Sequence, residues 1–192
     1  NGILQISKPA YIKKDFDESS FKLYFDKLIG KDKEELKMVN VPSLFQIEIE
    51  QKLHKPLKEQ IDVNYTLKQS SLPSLFFDYH FDGLGYNGAM YGIKSIDLNA
   101  SKPIANIQSE IAEFESVIDR LNKFAKNRNI NGDSQYFLIM DAYMGKNLAY
   151  NDLYSILKDI PSFKLVSSED IPPIVKDIKK NKAKKLSDLL VG

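Results

Sequence analysis

The stretch Phe76–Ser101 (FFDYHFDGLGYNGAMYGIKSIDLNAS) constrains the fold more than any other. It predicts two antiparallel strands around a glycine-rich turn, with the second strand running into the longest amphipathic segment of the chain. Leu75, Phe77, Tyr79 and Phe81 share one face of the first strand, and Phe76, Asp78, His80 and Asp82 share the other. Gly83, Gly85, Asn87 and Gly88 predict the loop, and Ala89 to Leu98 the returning strand. Asp78, His80, Asp82, Lys94, Asp97 and Asn99 are the densest polar group at spacings that suit chemistry.

The flanking segments predict how this hairpin is covered. Ile61 to Lys68 alternates apolar and polar residues, as a half-buried strand does. Val41 to Leu53 carries two patterns. Phe45, Ile47 and Ile49 alternate, but Leu44, Phe45, Ile49 and Leu53 form a helical face behind a Ser43/Gln46 capping box, and the helix is preferred. After the hairpin, Asn99 or Ser101 caps a long helix with Pro103 in its first turn. Its apolar stripe is Ile104, Ile107, Ile111, Phe114, Ile118, Leu121 and Ala125. Tyr136 to Met140 predicts a buried strand, and Asn151 or Asp152 starts a helix ending at Leu157. Phe163 to Val166 predicts a short strand, and Ser168 caps a last helix with Ile171, Ile174, Val175 and Ile178.

The expected fold class is α/β, a mixed central sheet flanked by helices on both faces. Residues 41–192 form the expected core. Residues 1–40, with a strand at Gly2 to Ser7 and a helix at Phe16 to Leu28, are expected to pack on it as part of one domain. The chain has 192 residues, 43% hydrophobic and 28% charged, which is enough apolar material for one core and too much for a disordered chain. It opens on Asn rather than Met, as expected of an excised domain or a trimmed product.

Composition excludes several chemistries. With no cysteine there is no disulfide, thiolate metal site or cysteine nucleophile, which fits an expected cytoplasmic location. No apolar run approaches membrane-spanning length and no signal peptide opens the chain, so no membrane partner is expected. A net charge of +1 lowers the expectation of a nucleic-acid partner, although lysines gathered on one face can still bind one. The run Lys179, Lys180, Lys182, Lys184 and Lys185 is expected to be a solvated helix or linker. Ser70 and Ser71 have no partnered histidine at readable spacing, and no phosphate-binding glycine loop precedes a helix.

The candidate site centres on Asp82 and Asp97, each expected to end one of two paired strands. Adjacent strands lie about 4.8 Å apart, so two such carboxylates can share one hard cation such as Mg²⁺ or Mn²⁺. Asn99 follows Asp97 by two and keeps to its face. The structural alternative is ordinary: Asp before Gly makes turns, and Asp97 and Asn99 sit where a helix needs a cap. His80 beside Asp78 and Asp82 is a second candidate trio, centred on a small-molecule site; a satisfied semi-buried pair is the plainer reading. His54, at a helix end next to Pro56, carries no signal.

The order helix, three strands, helix, strand, with Phe81-Asp82-Gly83 on the second strand and Gly92–Ser101 (GIKSIDLNAS) on the third, resembles the PD-(D/E)xK nuclease superfamily. Within it the chain is most similar to the cleavage domains of type IIS restriction endonucleases, over roughly Val41 to Leu190. Gln108-Ser109-Glu110, Tyr136–Asn147 (YFLIMDAYMGKN) and Leu165–Ile171 (LVSSEDI) carry the rest of the likeness. The resemblance implies a restriction-endonuclease-like αβββαβ core and a metal-dependent endonuclease that hydrolyses DNA, with a homodimer as an expected assembly. Asp82 and Asp97 would hold Mg²⁺ or Mn²⁺. Asn99, where the family has lysine, or else Lys94 or Lys102, would position the attacking water, and Glu50 would support the site. Strand alternation puts Lys94 on the face opposite Asp97 unless a bulge intervenes. Phe81 stands where the family has proline. The alternative is a catalytically inactive nuclease-like fold that binds DNA or protein.

Overall fold

The structure is a computed structural model and describes Glu18 and residues 42–190. The chain divides into two compact units, Asn1–Val41 and Pro42–Gly192. The strand expected at Gly2 to Ser7 and nearly all of the helix expected at Phe16 to Leu28 lie outside the described residues.

The second unit opens on a helix because its first backbone N–H groups find acceptors. Ser43 Oγ accepts the Gln46 N–H at 3.2 Å, and Gln46 Oε1 accepts the Ser43 N–H at 3.0 Å. This is the expected capping box, a motif whose cap contributes about 1 kcal/mol. The helix runs as α1 (Leu44–Ile49), widens into a π-helical turn (Glu50–His54), and closes as α2 (Lys55–Leu57). Ile49, Leu53 and Leu57 are buried.

Three antiparallel strands follow: β1 (Asp62–Leu67), β2 (Tyr79–Tyr86) and β3 (Met90–Ser95). α3 (Ile104–Asn127) crosses to β4 (Gln135–Ile139), and α4 (Leu148–Leu157) to β5 (Lys164–Val166), both parallel to β3. A 3₁₀ turn (Ser168–Asp170) leads into α5 (Ile171–Lys180). β6 (Lys184–Lys185) and α6 (Leu186–Leu190) complete the described residues. The sheet order is β1-β2-β3-β4-β5, with β6 pairing antiparallel to Gly85 and Tyr86 of β2. The result is a mixed open sheet flanked by helices.

Two apolar clusters cover the two faces. The first joins Phe81, Leu84 and Met90 to Phe114, Val117, Ile118 and Leu121 of α3 and Leu153 and Leu157 of α4. The second joins Ile61, Tyr91 and Ile93 to Leu53, Leu57 and the α5 residues Ile171, Ile174, Val175 and Ile178. Each such side chain contributes about 1.5–3 kcal/mol when fully buried. Among the described residues no helix is long and apolar enough to cross a membrane.

Several boundaries correct the expectations. β2 starts at Tyr79 and runs through Gly83 and Gly85, so Asp82 lies inside a strand and the turn shrinks to Asn87–Ala89. Glycines read as loop because they lack side chains, yet close packing requires Gly85. A Cβ there would meet the Lys184 carbonyl at 2.9 Å and the Ile61 side chain. Gly88, with φ of 64°, is the glycine the turn itself needs. β3 stops at Ser95, so Asp97 lies beyond it. α3 begins at Ile104 after Pro103, with neither Asn99 nor Ser101 as its cap. α4 begins a turn earlier than expected, capped by Asn147, whose Oδ1 accepts the Ala149 N–H at 3.1 Å. The lysine run is split between the end of α5 and β6.

The alternation of β1 and β2 also reverses midway. Tyr65 and Leu67 pack with the first cluster, but Val63 and Ile61 with the second. On β2, Phe81 and Leu84 face the first cluster, while a Cβ on Gly83 would meet Ile93 and Ile61 of the second. The register passes from Val63↔Gly83 to Tyr65↔Phe81, which leaves Asn64 opposite Asp82 at the reversal. Asn64 has φ of 50°, a conformation that asparagine tolerates better than most residues. The reversal turns Asp82 toward the helix at the start of the unit.

Candidate functional site

Asp82 is 8% exposed, so its charge needs partners. Ser95 on the neighbouring strand supplies two: its N–H donates to Asp82 Oδ2 at 2.6 Å and its hydroxyl to the same oxygen at 2.8 Å. Oδ1 faces His54 Nε2 at 3.5 Å, an ion-pair distance that is long for a hydrogen bond. The other ring nitrogen, Nδ1, lies 2.9 Å from Glu50 Oε2, one turn back on the π-helical segment. Glu50, His54 and Asp82 therefore stand in line, with an imidazole between two carboxylates. Burial opposes the charged imidazolium, but the Asp82 and Glu50 carboxylates outweigh it and raise the His54 pKa above its ordinary value. Burial likewise pushes Asp82 up, and His54, Ser95 and Lys94 together bring it below the usual carboxylate value.

Asp97 does a different job. Its Oδ2 accepts the Ser43 hydroxyl at 2.9 Å, tying the start of α1 to the end of β3. Its Oδ1 accepts the Asn99 N–H at 3.0 Å and shapes its own turn. Asn99 in turn clamps the loop after β4, donating from Nδ2 to the Ala142 carbonyl at 3.1 Å and accepting the Met144 N–H at 2.8 Å. Both ends of its amide are used.

The lysines have other hydrogen-bond partners. Lys94 Nζ lies 5.6 Å from the centre of the Tyr79 ring, a residue of the first cluster, and donates to the His80 carbonyl at 3.3 Å. Lys102 Nζ pairs with Glu110 at 2.6 Å. Asp78 accepts the Gln69 N–H at 2.9 Å, and His80 Nδ1 lies 3.4 Å from Thr66 Oγ1. Burial first and then Lys94 lower the His80 pKa.

Asp82, Ser95 and Asp97 thus share the face that carries α1, but the two carboxylates serve separate networks. Among the described residues, no three His, Asp or Glu side chains gather closely enough to hold a metal ion. A divalent cation bridging Asp82 and Asp97 would have to compete with His54 on one side and with Ser43 and Asn99 on the other.

An open pocket of ≈ 600 Å³ lies nearby. Asp97 and Asn99 after β3, Asp141, Ala142 and Met144 after β4, and Ser167, Ser168 and Glu169 after β5 line it, with Ser43, Leu44, Phe45 and Glu48 from the helix opposite. It therefore lies at the carboxyl ends of the three parallel strands, the usual place for a ligand in an open α/β sheet. Asp141 is held like Asp82: Ser168 donates its N–H and its hydroxyl to the two carboxylate oxygens, at 2.8 and 2.9 Å. Ser168 nearby and then Lys52, at 3.3 Å, lower the Glu48 pKa from its usual value.

Sequence reasoning missed His54, Ser95, Ser43 and Asp141. The one local signal was the Glu50–His54 spacing, which puts both on one helix face. No family model, no curated protein and no solved structure matches this chain.

Proposed function

We propose that residues 42–190 form a restriction-endonuclease-like αβββαβ module that works by binding a partner rather than by cutting DNA. The helix, three antiparallel strands and two parallel crossovers, in sheet order β1-β2-β3-β4-β5, support the fold half of this reading. One observation carries the other half: the atoms that the nuclease motif would use are committed to the fold. Asn99 stands at the lysine position with both amide ends bound to the loop after β4. Asp97 holds Ser43, and Asp82 holds Ser95 and His54. Lys94 and Lys102 have other partners. A nuclease needs a cationic donor at the attacked phosphate, and both candidate lysines, Lys94 and Lys102, are engaged elsewhere.

The sharing of one face by Asp82, Ser95 and Asp97 favours a second reading, a Mg²⁺- or Mn²⁺-dependent endonuclease acting on DNA. In that reading Asp82 and Asp97 hold the ion, which would activate water and offset phosphate charge. Glu50 would support Asp82 through His54, and Asn99, Lys94 or Lys102 would have to leave its present partner to orient the water. A calorimetric Mn²⁺ titration separates the two. The binding-module reading predicts no stoichiometric millimolar-or-tighter site. One ion bound per chain and lost in Asp97→Asn protein would favour the nuclease.

A further inference from the structure

We propose that the pocket at the carboxyl ends of β3, β4 and β5 takes a segment of a partner protein that presents a cationic side chain, arginine above all, beside an apolar one. The proposal rests on the binding-module reading and names its partner class. Three carboxylates, Asp97, Asp141 and Glu169, line the pocket, and among the described residues no lysine or arginine forms an ion pair with any of them. Asp97 and Asp141 accept from neutral donors, namely serine hydroxyls and backbone N–H groups, which stabilise the charge without cancelling it. Glu48 is the exception, with Lys52 at 3.3 Å.

The apolar part of the pocket is equally specific. Leu44 is 82% exposed and Met144 is 86% exposed, and both line the pocket, as does Phe45. A single exposed leucine or methionine is ordinary. Two lining one cavity with three uncancelled carboxylates select a ligand that is cationic and apolar at once. The same charge repels phosphate, which argues against nucleic acid in this pocket. Arginine suits best, because its planar fork matches a carboxylate and its stem covers apolar surface. The volume lies within the range of about 300–1,000 Å³ typical of ligand sites. The walls are fixed in advance, one by Asn99 on the β4–α4 loop and the other by Asp97 on Ser43, so binding orders little new structure.

The test uses the full chain and fluorescence anisotropy of a labelled short peptide with arginine flanked by leucines. A matched peptide with glutamate for arginine and a labelled DNA duplex serve as comparisons. Two variants alter exposed residues, Glu169→Lys alone and Leu44→Ser with Met144→Ser, and their melting temperatures report folding. The arginine peptide should bind at least about tenfold more tightly than the glutamate peptide. Each variant should weaken it by about fivefold or more while melting like wild type. Equal affinity for the two peptides, or unaltered affinity in folded variants, overturns the proposal. Preference for the duplex also overturns it, leaving the binding-module reading intact with nucleic acid as occupant. So does self-association, seen by sedimentation, that Leu44→Ser with Met144→Ser abolishes. Cation-dependent cleavage of the duplex instead overturns the reading beneath it.

Discussion

Ser95 gives both its backbone N–H and its hydroxyl to one oxygen of Asp82, at 2.6 and 2.8 Å, across the β2–β3 pair. The same device recurs where Ser168 holds Asp141 and where Ser187 holds Asp62. Each time one serine gives its N–H and its hydroxyl to a single carboxylate at the edge of the core. Truncating Ser95 to alanine removes one charged hydrogen bond and leaves Asp82 partly unsatisfied. Ser95→Ala should lose about 1–3 kcal/mol in urea unfolding, with an unchanged denaturant slope. A loss within error of zero would mean that Asp82 does not depend on that hydroxyl.

The His54–Asp82 contact predicts a pH window. His54 has a raised pKa in the fold, so its contribution is complete below its ordinary 6.5 and fades as pH rises through the folded value. Asp82 has a lowered pKa, so its contribution is complete above 3.8 and fades as pH falls through the folded value. The melting-temperature advantage of wild type over His54→Gln protein should therefore be largest between these values and shrink on the alkaline side. The charged neighbours are Glu50, Asp82, His80 and Lys94. His80 and Lys94 are present in both proteins. An advantage that grows with pH would contradict the ion pair.

Asn99 is predicted to be a clamp. Asn99→Lys, which would place the lysine of the proposed nuclease pattern there, removes the acceptor of the Met144 N–H and the amide donor to the Ala142 carbonyl. Hydrogen exchange across residues 141–148 should speed up by about tenfold, and no cleavage activity should appear. Metal-dependent nicking gained by this variant would show that the site lacks only its lysine.

Much of this was legible in the sequence, and what was not has a physical reason. The stripe Ile107, Ile111, Phe114, Ile118 and Leu121 is buried as periodicity requires, and the Ser43/Gln46 box caps α1 as its spacing implies. The strand limits were not legible, because Gly83 and Gly85 read as turn residues and are in fact strand residues under close packing. The reversal at Asn64 and Asp82 breaks the period-two rule, and only tertiary packing reveals it. His54 escaped notice because its partner Asp82 is 28 positions away on another element (82 minus 54). Asp82 and Asp97 could be named from order and spacing, but their partners Ser95, His54 and Ser43 could not.

Gly85 offers a test of the sheet itself. A methyl group at this position would strike the Lys184 carbonyl and Ile61, where β6 and β1 meet β2. Gly85→Ala should destabilise the chain by about 1–3 kcal/mol through overpacking and release β6 first, seen as faster exchange at residues 184–190. Gly88→Ala, with open space around it but φ of 64°, should cost less, about 1 kcal/mol.

The central claim is that Asp82, Asp97 and Asn99, the candidate nuclease residues, are bound into the fold. Its most direct test is incubation of the full chain with supercoiled plasmid in Mg²⁺ and in Mn²⁺, beside Asp97→Asn protein. The account predicts intact supercoiled DNA in every lane. Nicked or linear DNA that needs the cation and disappears in the Asp97→Asn lane would contradict it.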